Sequence, residues 1–248
     1  MTSFNLGHTN AQVTSTKTGI KKVGAVSLAG SIIFGLMAFS GISPASAAEP
    51  TVPLGTAEGY SVLAGSTVTN TGPSVLAQSL GLTPGSAVTG FPPGIINGSM
   101  EIANGPALQA QTDLTTAYNS AAGRSVTATV GADLVGTTLP GGVYKSATGP
   151  LSLTGTLTLD GQNDPNSVFI FQSDSTLITG SASRINLING AQACNVFWQV
   201  GSSATLGTGS SFVGTVMALT SVTAQTAATI EGRVMARNGA VTLDNNVI

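Results

Sequence analysis

The sequence predicts a mostly-β fold of the solenoid kind, with three faces per coil and one long α-helix. Three observations carry the prediction. Charged residues make up 7% of the 248-residue chain and aromatics 5%, while hydrophobic residues reach 42% and glycines number 32. Disorder requires high charge and low hydrophobicity, so this chain folds, and its β-branched, hydroxylated and glycine-rich composition suits short strands joined by tight turns. Second, the C-terminal part repeats itself: Gly214-Thr215-Val216-Met217-Ala218 realigns with Gly232-Arg233-Val234-Met235-Ala236. The same offset carries Trp198 onto Val216, Thr205 onto Thr223, Thr208 onto Thr226 and Ser211 onto Thr229. A period of about 18 residues with three short apolar stretches reads as one coil with three faces. Third, the β pattern is interrupted by a single amphipathic segment.

The chain opens on a targeting signal. Lys17, Lys21 and Lys22 precede an apolar run from Val23 to Ile42, followed by Ser43-Pro44-Ala45-Ser46-Ala47-Ala48-Glu49. A basic region, an apolar core and an Ala-x-Ala site form a secretory signal peptide, cut after Ala47 or Ala48. A retained signal anchor is the competing reading, since the run approaches spanning length, but glycine and small residues dilute it. The expected organisation is a leader, 1–48, and a single domain, 49–248, released outside the cell.

Residues 51–100 read as short strands punctuated by Gly-Pro and Pro-Gly turns. In the next segment Pro106 opens a helix at its first turn. Ala107, Gln111, Leu114, Tyr118 and Ala121 recur at three- and four-residue spacing, an apolar stripe on one helix face. Gly123 serves as the stop, giving a helix over about 104–122 docked along the β body. Beyond it, Leu151 to Leu159 alternates as a half-buried strand, and Val168-Phe169-Ile170-Phe171 reads as a buried one. Cys194, the only cysteine, sits in an apolar stretch and reads as a buried, inert thiol.

Charge narrows the function classes. Beyond position 50 the basic residues are Arg124, Lys145, Arg184, Arg233 and Arg237, and every acidic residue lies at or after Glu49. Such a mildly acidic domain lacks the basic patch that nucleic acid demands. The single histidine, His8, falls in the leader, which removes Ser-His-Asp relays and His–Cys metal sites. Asp160-Gly161-Gln162-Asn163-Asp164-Pro165-Asn166 has oxygen ligands close together but lacks the spacing and terminal Glu of a calcium loop, and reads as an Asx- and Pro-rich turn. No cofactor is called for.

The feature that points to a function is a pair of hydroxyl ladders. Thr179-Gly180-Ser181-Ala182, Thr208-Gly209-Ser210-Ser211 and Thr226-Ala227-Ala228-Thr229 share a pattern, and beside them run Thr176, Thr205, Thr223 and Thr242. Stacked coils lie about 4.8 Å apart, so the candidates Thr179, Ala182, Thr208, Ser211, Thr226, Thr229, Thr205, Thr223 and Thr242 would form a flat array of methyls and hydroxyls. Threonine holds a restricted χ1, so the array is ordered in advance and binding costs little entropy. Methyls crowd water into cages and hydroxyls anchor it, at a spacing close to a repeat of the ice lattice. The plainer reading is that threonine ladders only strengthen the sheet, each pair contributing about 0.2–1 kcal/mol.

The chain resembles the ice-binding protein family of cold-adapted bacteria, fungi and diatoms. The resemblance covers roughly 52–248 and rests on long stretches: Val52-Pro53-Leu54-Gly55-Thr56-Ala57, Leu63 to Gly72, Phe91-Pro92-Pro93-Gly94, Ala117 to Ala122, Leu139 to Tyr144, Leu157 to Gln162, Gly190 to Gln199 and Arg237 to Leu243. It implies a discontinuous, right-handed β-solenoid of triangular section, its N-terminal coils completed by C-terminal strands, with one helix packed alongside. It also implies ice binding through a flat face bearing Thr-Ala/Gly-x-Thr/Asn motifs. Thr226-Ala227-Ala228-Thr229 matches that motif throughout, and the other two segments depart at its last position. The expected partner is an ice surface, met by a monomer. A polysaccharide lyase or hydrolase is disfavoured by scattered acids. An extracellular structural or adhesive solenoid without ice affinity stays open, and Arg184, Glu231 and Arg233 would weaken the ice reading if they point onto the face.

Overall fold

A computed structural model describes residues 49–248, and the signal segment expected over 1–48 lies outside the described residues. Short parallel strands wind into coils, and each coil contributes one strand to each of three faces. One face stacks Ala128–Val130, Gly142–Ser146, Phe169–Ser173, Val196–Val200, Ser211–Ala218, Thr229–Ala236, Tyr60–Ala64, Ser79–Leu82 and Met100–Ile102 in that order. A second, seven-stranded face runs Leu151–Leu153, Leu177–Thr179, Ala204–Leu206, Val222–Ala224, Val241–Asp244, Thr67–Thr71 and Ala87–Thr89. The third is built from Thr138–Pro140, Thr156–Asp160, Arg184–Ile188, the first halves of the two long strands, a bridge at Val247, Val75–Leu76 and Ile95–Ile96.

The alternating segment from Leu151 to Leu159, expected as one strand, is two strands on different faces, broken at Thr154 and Gly155. Alternation survives the corner because Leu153 and Leu157 both point into the bore. The two long strands turn their corner without breaking, at Gly214 and Gly232. Both have positive φ, 105° and 153°, and a Cβ on Gly232 would lie 2.1 Å from the Gly214 carbonyl oxygen. Only glycine allows coils to stack this closely there.

Stacking order departs from chain order. Val62 pairs with Val234 and Leu63 with Met235, while Val68 to Thr71 pair with Val241 to Asp244. The N-terminal coils are thus laid onto the last C-terminal coil. The helix, Gly105–Ala122, carries the chain back along the stack over about 27 Å. Asn104 caps it, its side chain accepting the Ala107 N–H at 3.1 Å. Gly123 ends it in a right-handed conformation, φ −85°, so its place at the terminus does not depend on glycine's left-handed freedom.

The helix seals the first face. Ala110, Leu114, Ala117, Tyr118 and Ala121 pack on Leu63, Val143, Ile170, Phe197, Met217 and Met235, forming a core separate from that in the bore. Strands on this face are therefore buried on both sides, which explains the continuous apolar run Val168-Phe169-Ile170-Phe171. Sheet glutamines fasten the helix: Gln172 donates to the Ala121 carbonyl at 2.9 Å, and Gln199 to the Tyr118 hydroxyl at 2.8 Å. In the bore Tyr144, Phe171 and Trp198 stack in register, with 4.1 Å between the Phe171 and Trp198 centroids. The Trp198 indole donates to the Val213 carbonyl at 3.0 Å.

Cys194 departs from expectation. It lies exposed in the short turn Ala193–Asn195, just before the buried strand, because the apolar stretch turns inward only at Val196. The Asp160–Asn166 segment is a turn whose carboxylates accept local donors, Asp160 from the Gln162 N–H at 2.8 Å and Asp164 from the Asn166 N–H at 2.9 Å.

Leu114 is fully buried between helix and sheet. Leu114→Ala is expected to destabilise the fold by about 2–5 kcal/mol in a denaturant titration. Asp113 tethers the N-terminal turn by accepting the Thr56 hydroxyl and N–H, each at 2.7 Å. Those bonds, the hydroxyl's first, hold its carboxyl below the usual carboxylate range. Its stabilisation is therefore present above the unfolded pKa and lost as pH falls through the folded one. Asp113→Asn should give a shallower acid limb when melting temperature is followed against pH.

Candidate functional site

Among the described residues the seven-stranded face carries no helix and stays open. Its strands alternate, burying Leu177, Ala204, Leu206, Val222, Ala224, Val241, Leu243 and Val68 and turning the intervening side chains out. In register, Ile178 lies beside Thr205, Thr205 beside Thr223, Thr223 beside Thr242, Thr242 beside Thr69 and Thr69 beside Thr89. The sequence-predicted row Thr205, Thr223 and Thr242 is thus a single outward column. It extends past the end of the chain through Thr69 and Thr89, which sequence reasoning did not assign to the site. The Thr67-Val68-Thr69-Asn70-Thr71 alternation was the available signal. It lacked a register, because these coils adjoin the C-terminus only in the folded chain.

A parallel column holds Ser203 and Ser221, whose hydroxyls accept the N–H groups of Ser221 and Ala240 at 3.3 and 3.1 Å. Thr67 and Ala87 follow on the far side of the junction. Thr176 falls outside the threonine column: Ile178, 51% exposed, occupies that place.

The second ladder requires correction. The Thr-Gly pattern aligns Thr179 with Thr208, but the structure sets Ala182, Gly209, Ala227 and Asn245 at one corner. Their φ values are 56°, 62°, 59° and 53°. Each of the first three donates its N–H to the coil after it, at Thr208 O, Thr226 O and Asp244 O, over 2.9 to 3.0 Å. Ser181 therefore stands in the place of Thr208, and Ala182 in that of Gly209. Thr179 points inward, 3% exposed, and its hydroxyl accepts the Gly207 N–H at 2.8 Å.

The remaining candidates divide between a corner and another face. Thr208 and Thr226 are exposed on the corner beside the open face. The Thr208 N–H donates to Gln225 Oε1 at 3.2 Å, and the Thr226 hydroxyl donates to the Asp244 carboxylate. With Thr71, Thr223 and Thr242 they line a shallow depression of about 340 Å³. Ser211 and Thr229 pair with one another on the third face, where Arg184 is the next neighbour of Ser211. Arg184 and Glu231 are exposed on that face, away from the threonine column. The two ladders thus form two surfaces meeting at an edge, where the sequence suggested one.

The architecture is that of a rigid β-solenoid displaying a flat, hydroxyl-bearing array. This chain belongs to the ice-binding-like family, whose profile matches residues 62–248. It is 50% identical over 222 residues to an ice-binding protein of Nostoc sp. (strain HG1), covering 88% of this chain and 81% of that one. It is 42% identical to ice-binding protein 1 of Shewanella frigidimarina (strain NCIMB 400) over 56% of this chain, which is 16% of that longer protein. The crystal structure of an ice-binding protein from the Antarctic ascomycete Antarctomyces psychrotrophicus superposes with a TM-score of 0.77 at 44% identity, covering 80% of this chain and 97% of that one.

The register difference at Thr179 has a measurable outcome. Thr179→Val removes the acceptor of a buried N–H and is expected to cost about 1–3 kcal/mol of stability in urea unfolding, while leaving the open face intact.

Proposed function

We propose that this chain is an exported ice-binding protein that adsorbs to ice through the open face and so restrains ice growth. The observation that carries this reading is the column Thr205–Thr223–Thr242–Thr69–Thr89. It presents threonines in register on five successive coils of a face that no other described residue covers. Pairing into the sheet fixes their spacing at about 4.8 Å, and β-branching restricts each rotamer. The array meets a lattice without first being ordered, which is the gain of pre-organisation. Relatives named as ice-binding proteins support the same assignment.

Within this reading the contact set is Thr205, Thr223, Thr242, Thr69 and Thr89, flanked by Thr67 and bordered at the corner by Thr208 and Thr226. Thr179 and Ala182 serve the register of the coils. One chain supplies the whole face, so the protein acts as a monomer. The leader over 1–48 would direct export, with the mature chain beginning near Glu49.

Ice-crystal observation in solutions of residues 49–248 tests the proposal. The wild type is expected to open a gap between melting and freezing points and to grow faceted crystals. Thr223→Tyr, within the column beside the central Thr242, should reduce that gap several-fold with an unchanged melting temperature. Round crystals and no gap from the wild type at high concentration would overturn the proposal.

A further inference from the structure

Arg237 is the cation that the fold of the described residues leaves neither paired nor fully solvated. Arg124 meets Glu49 at 2.8 Å, Lys145 meets Asp174 at 3.0 Å and Arg233 meets Glu58 at 3.9 Å, while Arg184 stands exposed. Arg237 is half-buried, and among the described residues its side chain has no ion pair and no hydrogen bond. Its guanidinium lies 4.8 Å from the centroid of the Tyr118 ring, a cation–π contact that holds it in place. Nε is shut away from solvent without a partner, so the terminal nitrogens are the donors left for another molecule. A guanidinium carries five N–H donors, and one that is half-buried and unanswered calls for an acceptor from outside the chain.

Arg237 opens on a groove of about 480 Å³ where the corners after Ser79–Leu82 and Thr229–Ala236 meet the helix. Small-molecule sites span roughly 300–1,000 Å³. Thr83 and Pro84 line the groove from the sheet side, and Leu108, Thr112 and Thr116 from the helix. No carboxylate lines it. Its hydroxyls are committed as donors. Thr112 donates to the Leu108 carbonyl at 2.9 Å, Thr115 to that of Gln111 at 2.9 Å and Thr116 to that of Thr112 at 3.2 Å. These oxygens retain lone pairs only and can accept.

The groove therefore asks for a molecule with two kinds of group. Arg237 needs a planar anion, which a carboxylate supplies by meeting the guanidinium fork with two parallel bonds. The helix threonines need hydroxyl donors. A phosphate dianion brings more charge than one arginine answers, and it has no protons to give those threonines. Pro84 and Leu108, the latter 61% exposed, offer apolar surface to the C–H edges of a ring. We propose that this groove binds a sugar bearing one carboxylate, the hexuronate class, with the carboxylate on Arg237 and ring hydroxyls donating to Thr112 and Thr116. The site is independent of the open-face reading, since it shares no residue with the threonine column.

Titration of isotope-labelled residues 49–248 with glucuronate, followed through amide chemical shifts, tests the proposal. Saturable shifts are expected at Leu108–Thr116 and Arg237, with glucose, acetate and inorganic phosphate each binding about tenfold more weakly or worse. Arg237→Gln should abolish the shifts. Thr112→Val combined with Thr116→Val, on the exposed side of the helix, should weaken binding several-fold with an unchanged melting temperature, and it keeps the test decisive if Arg237→Gln does not fold. Oligogalacturonate beside galacturonate separates the sources: tighter binding of the oligomer supports a polysaccharide chain, and equal binding supports the free acid. No saturable shift with glucuronate overturns the proposal. So does glucose, acetate or phosphate binding as tightly as glucuronate, or wild-type affinity in either variant.

Discussion

Everything in this fold depends on in-register parallel pairing between successive coils. Because each strand hydrogen-bonds to the same positions on the next coil, one register fixes three things together. It stacks aromatics in the bore, from Tyr144 through Phe171 to Trp198. It brings glycines to the corner at Gly214 and Gly232. It also sets threonines in a column on the open face. A slip of one residue would turn every outward threonine into the bore and every leucine out. The core therefore enforces the geometry of the surface, and the surface residues need no bonds to one another to stay aligned.

The helix performs a complementary task. A solenoid face that is apolar on its outside needs a cover, and here the cover is the segment linking the two ends of the stack. Its stripe buries one face, while Gln172 and Gln199 fasten its far end to the sheet. Among the described residues the open face is left as the broad surface without a cover, its threonine column free of charge and Asp244 at its edge. Asp113 and Thr56 close the N-terminal segment against the same helix. Covering one side and displaying another are thus two results of where the α-helix Gly105–Ala122 lies.

The sequence shows much of this architecture and hides a definable remainder. The offset that maps Thr205 onto Thr223 and Ser211 onto Thr229 is legible because no insertion separates those coils. The previous coil carries an extra loop through Asn189–Asn195, and the offset changes there. Matching Thr-Gly to Thr-Gly then placed Thr179 where Ser181 stands. The residue that marks the register is the one with positive φ, and at this corner Ala182 and Ala227 hold that conformation along with Gly209. Composition cannot reveal alanine in a role usually given to glycine. The neighbourhood of Thr242 and Thr69 was likewise hidden, since nothing local ties the two ends of the chain together. The Cys194 segment differs for another reason: an apolar stretch implies a buried thiol, while its first residues form an exposed turn.

The junction between the two chain ends also orders events in time. Tyr60–Ala64 and Thr67–Thr71 leave the ribosome long before their partners Thr229–Ala236 and Val241–Asp244. Until those partners are made, each early strand is paired on one edge only, with Ser79–Leu82 and Ala87–Thr89 respectively, and its other edge is bare. Contacts of such long sequence separation slow folding. The centre of the threonine column, where Thr242 meets Thr69, is consequently the last part of the surface to come into being, and a chain that stopped short of Val241 would lose the middle of its face before either end.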